Sequence, residues 1–214
     1  IKNYKTFKKE PMRLAGIQYV DRSSQTPHAM GFSGQFVRWE GMDPDHPVRF
    51  IPNSVGFDYV KLLGLKVAEG RDFSEDFPVD TTNFVVSESA VKEMGLKDPI
   101  GTVISVFNKR GTIVGVVNDF NGQSLHHGLM PIVIDIKEGL NFGTILVRTK
   151  AGQTAEAINS LRQLYNRLNP GYAFSYSFLD DSYQNLYRSE QVISKLSRVF
   201  GILCIFISCL GLFG

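Results

Sequence analysis

The sequence predicts an α+β fold: an α/β layer, interrupted by an inserted mainly-β segment, that ends in a helix entering a membrane. Three observations carry this expectation. Stretches with period-two apolar alternation take turns with stretches whose apolar residues recur three and four apart. In the middle of the chain, Ile100–Val106 and Gly111–Val117 are β-branched runs around an Asn108–Gly111 turn. From Val199 to Gly214 the chain carries no charge, and only Ser208 is plainly polar.

Taken in order, Tyr4–Leu14 sets Tyr4, Phe7, Met12 and Leu14 against Lys5, Lys8, Lys9 and Arg13, the pattern of a short amphipathic helix ending near Pro11. Gly16–Arg22 reads as a strand and Ser23–Gly34 as a loop. Gln35–Glu40 alternates apolar and polar residues. With Val48–Val55 across the Gly41–Asp45 turn, it predicts a hairpin. Phe57–Leu63 has helical spacing and stops at Gly64.

A change of texture at Glu69–Phe73, with the acidic loop through Asp80, marks a boundary. Phe84–Ser87 predicts a strand feeding a helix over Glu88–Met94, capped by Ser87 or Ser89 and stopped by Gly95. Further on, Pro131–Ile136 and Thr144–Thr149 predict strands. A helix then starts with Thr154 as N-cap and ends at Asn169-Pro170-Gly171. Ala173–Leu179, with Phe174, Tyr176 and Phe178 on one face, predicts a closing strand.

From Asp181 the apolar spacing is helical again, and no Gly or Pro falls between Ser182 and Phe200. The helix should therefore run unbroken into the apolar tail. The divisions that follow are 1–70, 71–127, 128–181 and 182–214.

The tail admits three readings: a buried C-terminal helix, an expression artefact, or the first part of a transmembrane helix. Its sixteen residues would rise roughly 24 Å, against a bilayer core of about 30 Å. A core helix should keep a polar stripe, and this one does not, so the membrane reading is preferred. The partial span comprises Val199, Phe200, Ile202, Leu203, Ile205, Phe206, Ile207, Leu210, Leu212 and Phe213. Arg188, Lys195 and Arg198 just before it would, by the positive-inside rule, face the cytoplasm. That rule weakens for segments longer than about 60 residues, so charge leaves the side undecided.

Composition narrows the function classes. Charged residues at 21% and hydrophobic ones at 43% describe a globular chain able to bury a core. A net charge of +2 without a basic, aromatic-interleaved stripe gives no ground for nucleic acid as a partner. Both cysteines, Cys204 and Cys209, lie in the apolar tail, which excludes a disulfide framework or a Cys-ligated zinc in residues 1–198. Their spacing is about 140° around a helix, so they do not bridge within it. The chain begins at Ile1 with neither an initiator Met nor a signal peptide, the look of an excised fragment.

A search for catalysis finds little. There is no G-x-x-x-x-G-K-[ST] phosphate loop, and Gly31-Phe32-Ser33-Gly34 has the wrong spacing for a nucleophile elbow. His126-His127 are adjacent, so on a strand they point to opposite faces, and no partner at metal-ligand spacing accompanies them. Asp43/Asp45, Glu75/Asp76 and Asp180/Asp181 fit turn and cap chemistry better than acid–base work. No catalytic, cofactor-binding or metal residue is assigned.

Four motifs occur in order: Glu69-Gly70-Arg71-Asp72-Phe73, Val86-Ser87-Glu88-Ser89-Ala90-Val91, Asp98-Pro99-Ile100-Gly101 and Ile113-Val114-Gly115-Val116-Val117-Asn118-Asp119-Phe120. With the tail from Ser189-Glu190-Gln191 through Ile207–Gly214, they resemble the periplasmic core domain and second membrane helix of MacB-like, FtsX-family ABC transporter permeases, in particular Bacteroidetes-type ones. The resemblance implies a permease with four membrane helices and an extracytoplasmic domain between the first and second. It names a porter-like α/β part at 1–70 and 128–181, a sabre-like insertion at 71–127, and a stalk helix at 182–214. It further implies an inner-membrane protein with this region in the periplasm.

No cofactor is expected in this chain, with ATP-Mg on a partner ABC ATPase. The implied partners are a second or paired permease, a periplasmic adaptor or outer-membrane protein, and membrane lipid. The implied action is mechanotransmission serving export or extraction of a drug, peptide or lipoprotein. Two other classes remain in play: the sensor domain of a signalling receptor, and a soluble enzyme with a buried C-terminal helix.

Overall fold

The computed structural model describes residues 10–120, 129–137 and 143–213. It divides into two compact units, Ile1–Ser175 and Tyr176–Gly214. The expected N-terminal helix lies largely outside the described residues; Pro11–Arg13 form one 3₁₀ turn.

The first unit is built on nine strands: β1 (Ile17–Ser23), β2 (Val37–Trp39), β3 (Ile51–Val55), β4 (Val67–Gly70), β5 (Phe84–Ser87), β6 (Val103–Val106), β7 (Lys109–Val117), β8 (Ile132–Ile136) and β9 (Thr144–Thr149). Their spatial order is β2-β6-β7-β5-β8-β3-β1-β9, with β4 beside β7. Three helices join them: α1 (Tyr59–Leu63), α2 (Glu88–Met94) and α3 (Thr154–Leu168). This is a mixed α+β, sheet-rich fold, as the alternating periodicities predict.

Local chemistry explains most boundaries. Gly64 and Gly95 end α1 and α2 in the left-handed region, at φ 70° and 67°, where a side chain would be strained. The Ser87 hydroxyl accepts from the Ala90 N–H at 3.3 Å and caps α2, as expected. At α3 the cap position falls on Gln153, without a side-chain bond. Thr154 instead faces the Thr149 hydroxyl at 3.0 Å.

The predicted hairpin of β2 with β3 does not form. β2 runs antiparallel to β6, and β3 parallel to β8. Pro44 and Pro47 break the intervening stretch, so β3 begins only at Ile51, after an isolated bridge from Phe50 to Gly34. β3 then buries Ile51, Asn53 and Val55, a central-strand pattern that pairs with the equally buried β8. Pro52 is tolerated there because β1 meets β3 only at Ser23↔Val55.

Three further expectations change. β4 goes unrecognised because its four residues are exposed and carry no alternation. The β6–β7 turn is two residues tighter than expected, at Phe107-Asn108, since Val106 pairs with Lys109. Ala173–Phe178 forms no strand despite its aromatic alternation, and Leu179 already begins a helix.

Two large apolar clusters sit on the sheet. One joins Met30, Ile51, Val55, Tyr59 and Phe73 to Ile132, Ile134 and Ile136; the other joins Val37, Phe50, Phe84, Ala90 and Met94 to Ile104 and Ile113. Each fully buried large side chain contributes about 1.5–3 kcal/mol. A smaller cluster seats Ala157 and Leu161 of α3 on Ile17 and Val20 of β1.

The second unit is one α-helix, α4 (Leu179–Phe213), of 35 residues. At 1.5 Å per residue it is about 52 Å long. It is unbroken, as the absence of Gly and Pro over most of its length predicts.

Candidate functional site

The first unit opens a groove of about 1960 Å³ over strands β1, β3 and β8, beside the β6–β7 turn. Its floor is polar by register. Ser54 pairs across the ladder with Asp135, and the Ser54 hydroxyl donates to the Asp135 carboxylate at 2.7 Å. Lys109, the first residue of β7, reaches the same carboxylate at 2.9 Å and the Ile136 carbonyl at 3.2 Å. This half-buried pair ties the β6–β7 turn to the central strand. Arg22, buried at the end of β1, donates to the Lys137 carbonyl. Phe57, Pro78, Val133 and Phe107 supply apolar walls. Such a groove can hold an extended, mixed-polarity chain.

Beside it lies a buried polar hub. The fully buried Asn53 accepts from the hydroxyls of Ser23 at 2.8 Å and Ser24 at 3.1 Å, and donates to the Tyr59 hydroxyl at 3.0 Å. It pins the Ser23–Gly34 loop to β3 and α1. Asp21, also fully buried, accepts from the Asp58 N–H at 2.7 Å where α1 begins. A Cβ on Gly56 would lie 1.8 Å from the Asp21 carboxylate, so only glycine fits there.

The Glu69–Phe73 stretch proves to be a structural clamp. Arg71 forms two bonds to Asp80, at 2.6 and 2.8 Å, and lies 4.3 Å over the Phe77 ring. The same carboxylate, fully buried, accepts from the Ser74 N–H at 3.0 Å and the Asn83 amide at 3.2 Å. Burial pushes the Asp80 carboxyl up, but the bonds from Arg71, Ser74 and Asn83 outweigh it and hold the group below the usual range.

Its neighbour Asp72 goes the other way. Burial, aided by Asp58 and Asp21 and opposed by the Phe73 N–H and Lys61, raises it from 3.8 to about 6. One Asp72 oxygen is buried without a partner among the described residues. Because the folded state holds this proton more tightly than the unfolded chain, the associated stability is fully present below about pH 3.8. It is lost as pH rises through about 6. Asp72→Asn should keep the bond from the Phe73 N–H and stabilise the protein by about 1–2 kcal/mol at pH 8, allowing for solvent screening. At pH 4 it should do almost nothing. Thermal melts of both proteins at the two pH values check this.

The remaining sequence candidates resolve into turns and caps. Asp43 accepts from the Asp45 N–H at 2.9 Å and meets the His46 ring at 2.7 Å; the His46 bond holds Asp43 below its usual range. Ser74 and Asp76 close a local turn, and Asp180 and Asp181 stand in the first turn of α4. His126 and His127 lie outside the described residues. Among the described residues no group of three or more potential metal ligands exists.

Of the residues assigned to the partial span, Val199, Phe200, Ile202, Leu203, Ile205 and Ile207 are on α4 and exposed. Phe206, Leu210, Leu212 and Phe213 lie on the same helix. Among the described residues no helix is long and apolar enough to cross a membrane.

Comparison with known proteins decides the family. The family model for the MacB-like periplasmic core domain matches residues 11–164. The chain belongs to this family. It is 27% identical over 208 residues, 92% of its length, to the macrolide export ATP-binding/permease protein MacB of Chromobacterium violaceum, and spans 31% of that protein.

Two solved folds resemble this MacB-like domain. The periplasmic region of MacB from Actinobacillus actinomycetemcomitans aligns with TM-score 0.56 and 20% identity over 77% of this chain and 73% of that one. The extracellular domain of the ABC-type transporter YknZ from Gram-positive bacteria aligns with TM-score 0.55 and 17% identity, over 77% and 82%.

Sequence reasoning missed the Arg71–Asp80 clamp, the Lys109–Asp135 pair and the Asn53 hub. Each joins residues apart in sequence, and no spacing rule announces them. The partial signal was Arg71 within the ordered motifs.

Proposed function

We propose that this MacB-like domain is the extracytoplasmic part of an ABC transporter permease, in the periplasm of an inner-membrane protein. It would carry ATP-driven motion from the cytoplasmic side to the periplasm by mechanotransmission. The observation that carries the reading is the family match over residues 11–164 followed by a continuous 35-residue helix with an exposed apolar C-terminal stretch. In this reading Val199–Phe213 is part of a membrane helix in contact with lipid. ATP-Mg resides on a partner ABC ATPase. The permease pairs with a second copy or a related permease, and a periplasmic adaptor or outer-membrane protein completes the assembly. The cargo class is a drug, peptide or lipoprotein. Residues 71–127 are the sabre-like insertion between porter-like parts.

Residues 1–198 contain no cysteine, so a label can be placed in this domain at one chosen position. Glu93→Cys on the exposed face of α2, with Cys204, Cys209 and every cysteine elsewhere in the assembled transporter replaced by serine, gives one spin label per copy of this domain. The distance between labels should change when ATP is added and return after hydrolysis. An unchanged distance distribution would sink the coupling.

A further inference from the structure

The strands β2, β6 and β7 form a face whose two sides differ sharply. Val37, Ile104 and Val106 point into the apolar cluster, whereas the register sets Arg38, Ser105 and Arg110 side by side on the other face. Arg38 and Arg110 are exposed, and among the described residues neither pairs with a carboxylate; Arg38 bonds only to backbone carbonyls. Beside them Phe36 stacks on Phe107 with ring centroids 4.4 Å apart and on Phe32 at 6.0 Å. Phe32 and Phe107 are each 58% exposed.

Phe107 is the one non-glycine residue at positive φ, 53°, among those described. Glycine would sit there without backbone strain, so the aromatic ring is kept at a conformational cost. Among the described residues β2 also ends the strand order and no strand pairs with its outer edge, where the Val37 carbonyl accepts from the Arg38 guanidinium.

We propose that this face docks an extended, acidic segment of a partner protein, added along β2. Its apolar side chains meet the Phe32–Phe36–Phe107 row, and its carboxylates meet Arg38 and Arg110. Each part of the site selects one property. The unpaired edge takes an extended backbone. The two uncompensated guanidiniums take carboxylates with fork geometry. Exposed aromatics beside arginine are the residue types that dominate protein interfaces. The proposal stands on this face and its test contains no ATPase, so it survives or fails separately from the permease reading.

The experiment titrates the full chain in detergent with a labelled peptide of alternating glutamate and leucine, followed by fluorescence anisotropy. A lysine–leucine peptide serves as control. Saturable binding of the acidic peptide alone is expected, weakening with salt. Arg110→Glu should reduce affinity at least about tenfold. Phe107→Gly should reduce it similarly while shifting the melting temperature little, because relief of the turn strain offsets the lost stacking on Phe36. No binding of the acidic peptide, or binding indifferent to Arg110→Glu and to Phe107→Gly, would overturn the proposal. So would a different occupant: Arg110→Glu acting instead on attachment to phosphatidylglycerol vesicles, or on self-association in sedimentation.

Discussion

Arg71→Met is expected to destabilise the first unit by about 3 kcal/mol at neutral pH, the lower end for breaking a buried ion pair because the arginine itself is partly exposed. The loss comes less from the missing attraction than from what remains. The Asp80 carboxylate is fully buried, and without Arg71 its donors among the described residues are the Ser74 N–H and the Asn83 amide. The pH dependence identifies the cause. Asp80 is held below its usual range in the folded protein, so its contribution is present above the ordinary carboxylate value and is lost as pH falls through the folded one. The variant and the parent should therefore differ most near pH 7 and converge in acid. Arg71→Lys should recover only part of the loss, since an ammonium cannot form both bonds. Urea denaturation at pH 7 and pH 3 measures both effects. Equal destabilisation at the two values would show that Arg71 acts through packing on Phe77 rather than through Asp80.

This clamp also shows what a sequence can and cannot disclose. Glu69–Phe73 is visible as a motif, and α2, β5, β8 and α3 are visible as periodic runs, because caps and alternation are local. Partner choice is not local. Val48–Val55 looks like the second arm of a hairpin until Pro44 and Pro47 are seen to break the approach. Burial of Ile51, Asn53 and Val55 along one face of β3 matches it instead to the buried β8. Ala173–Phe178 has a strand's alternation without a strand's partner, and alternation by itself forms no ladder. Likewise Asp135 belongs to a β-branched run that reads as core. Its pairing with Lys109 depends on a turn two residues tighter than the Asn108–Gly111 signal suggests. The continuity of α4 was legible because the absence of Gly and Pro over most of its length is a local signal.

The largest functional effect is expected from Leu196→Pro. Position 196 lies well inside α4, seventeen residues after Leu179 and seventeen before Phe213. Proline there removes the N–H that bonds to the carbonyl of residue 192 and crowds that carbonyl, at a cost to helix continuity of about 3 kcal/mol or more. The exposed Leu196 side chain contributes little packing, so the substitution acts on the rod and not on the sheet unit. Under the permease reading, an unbroken helix transmits rotation and axial force, whereas a kinked or flexible one dissipates them. ATP hydrolysis by the full transporter in proteoliposomes should then continue while transport falls towards background. Leu196→Ala should leave both intact, since alanine preserves the helix. The melting transition of the sheet unit should be the same in all three proteins. Transport undiminished in the proline variant would mean that motion reaches the periplasmic domain by a route other than α4. Loss of ATP hydrolysis together with transport would place the defect in assembly and not in transmission.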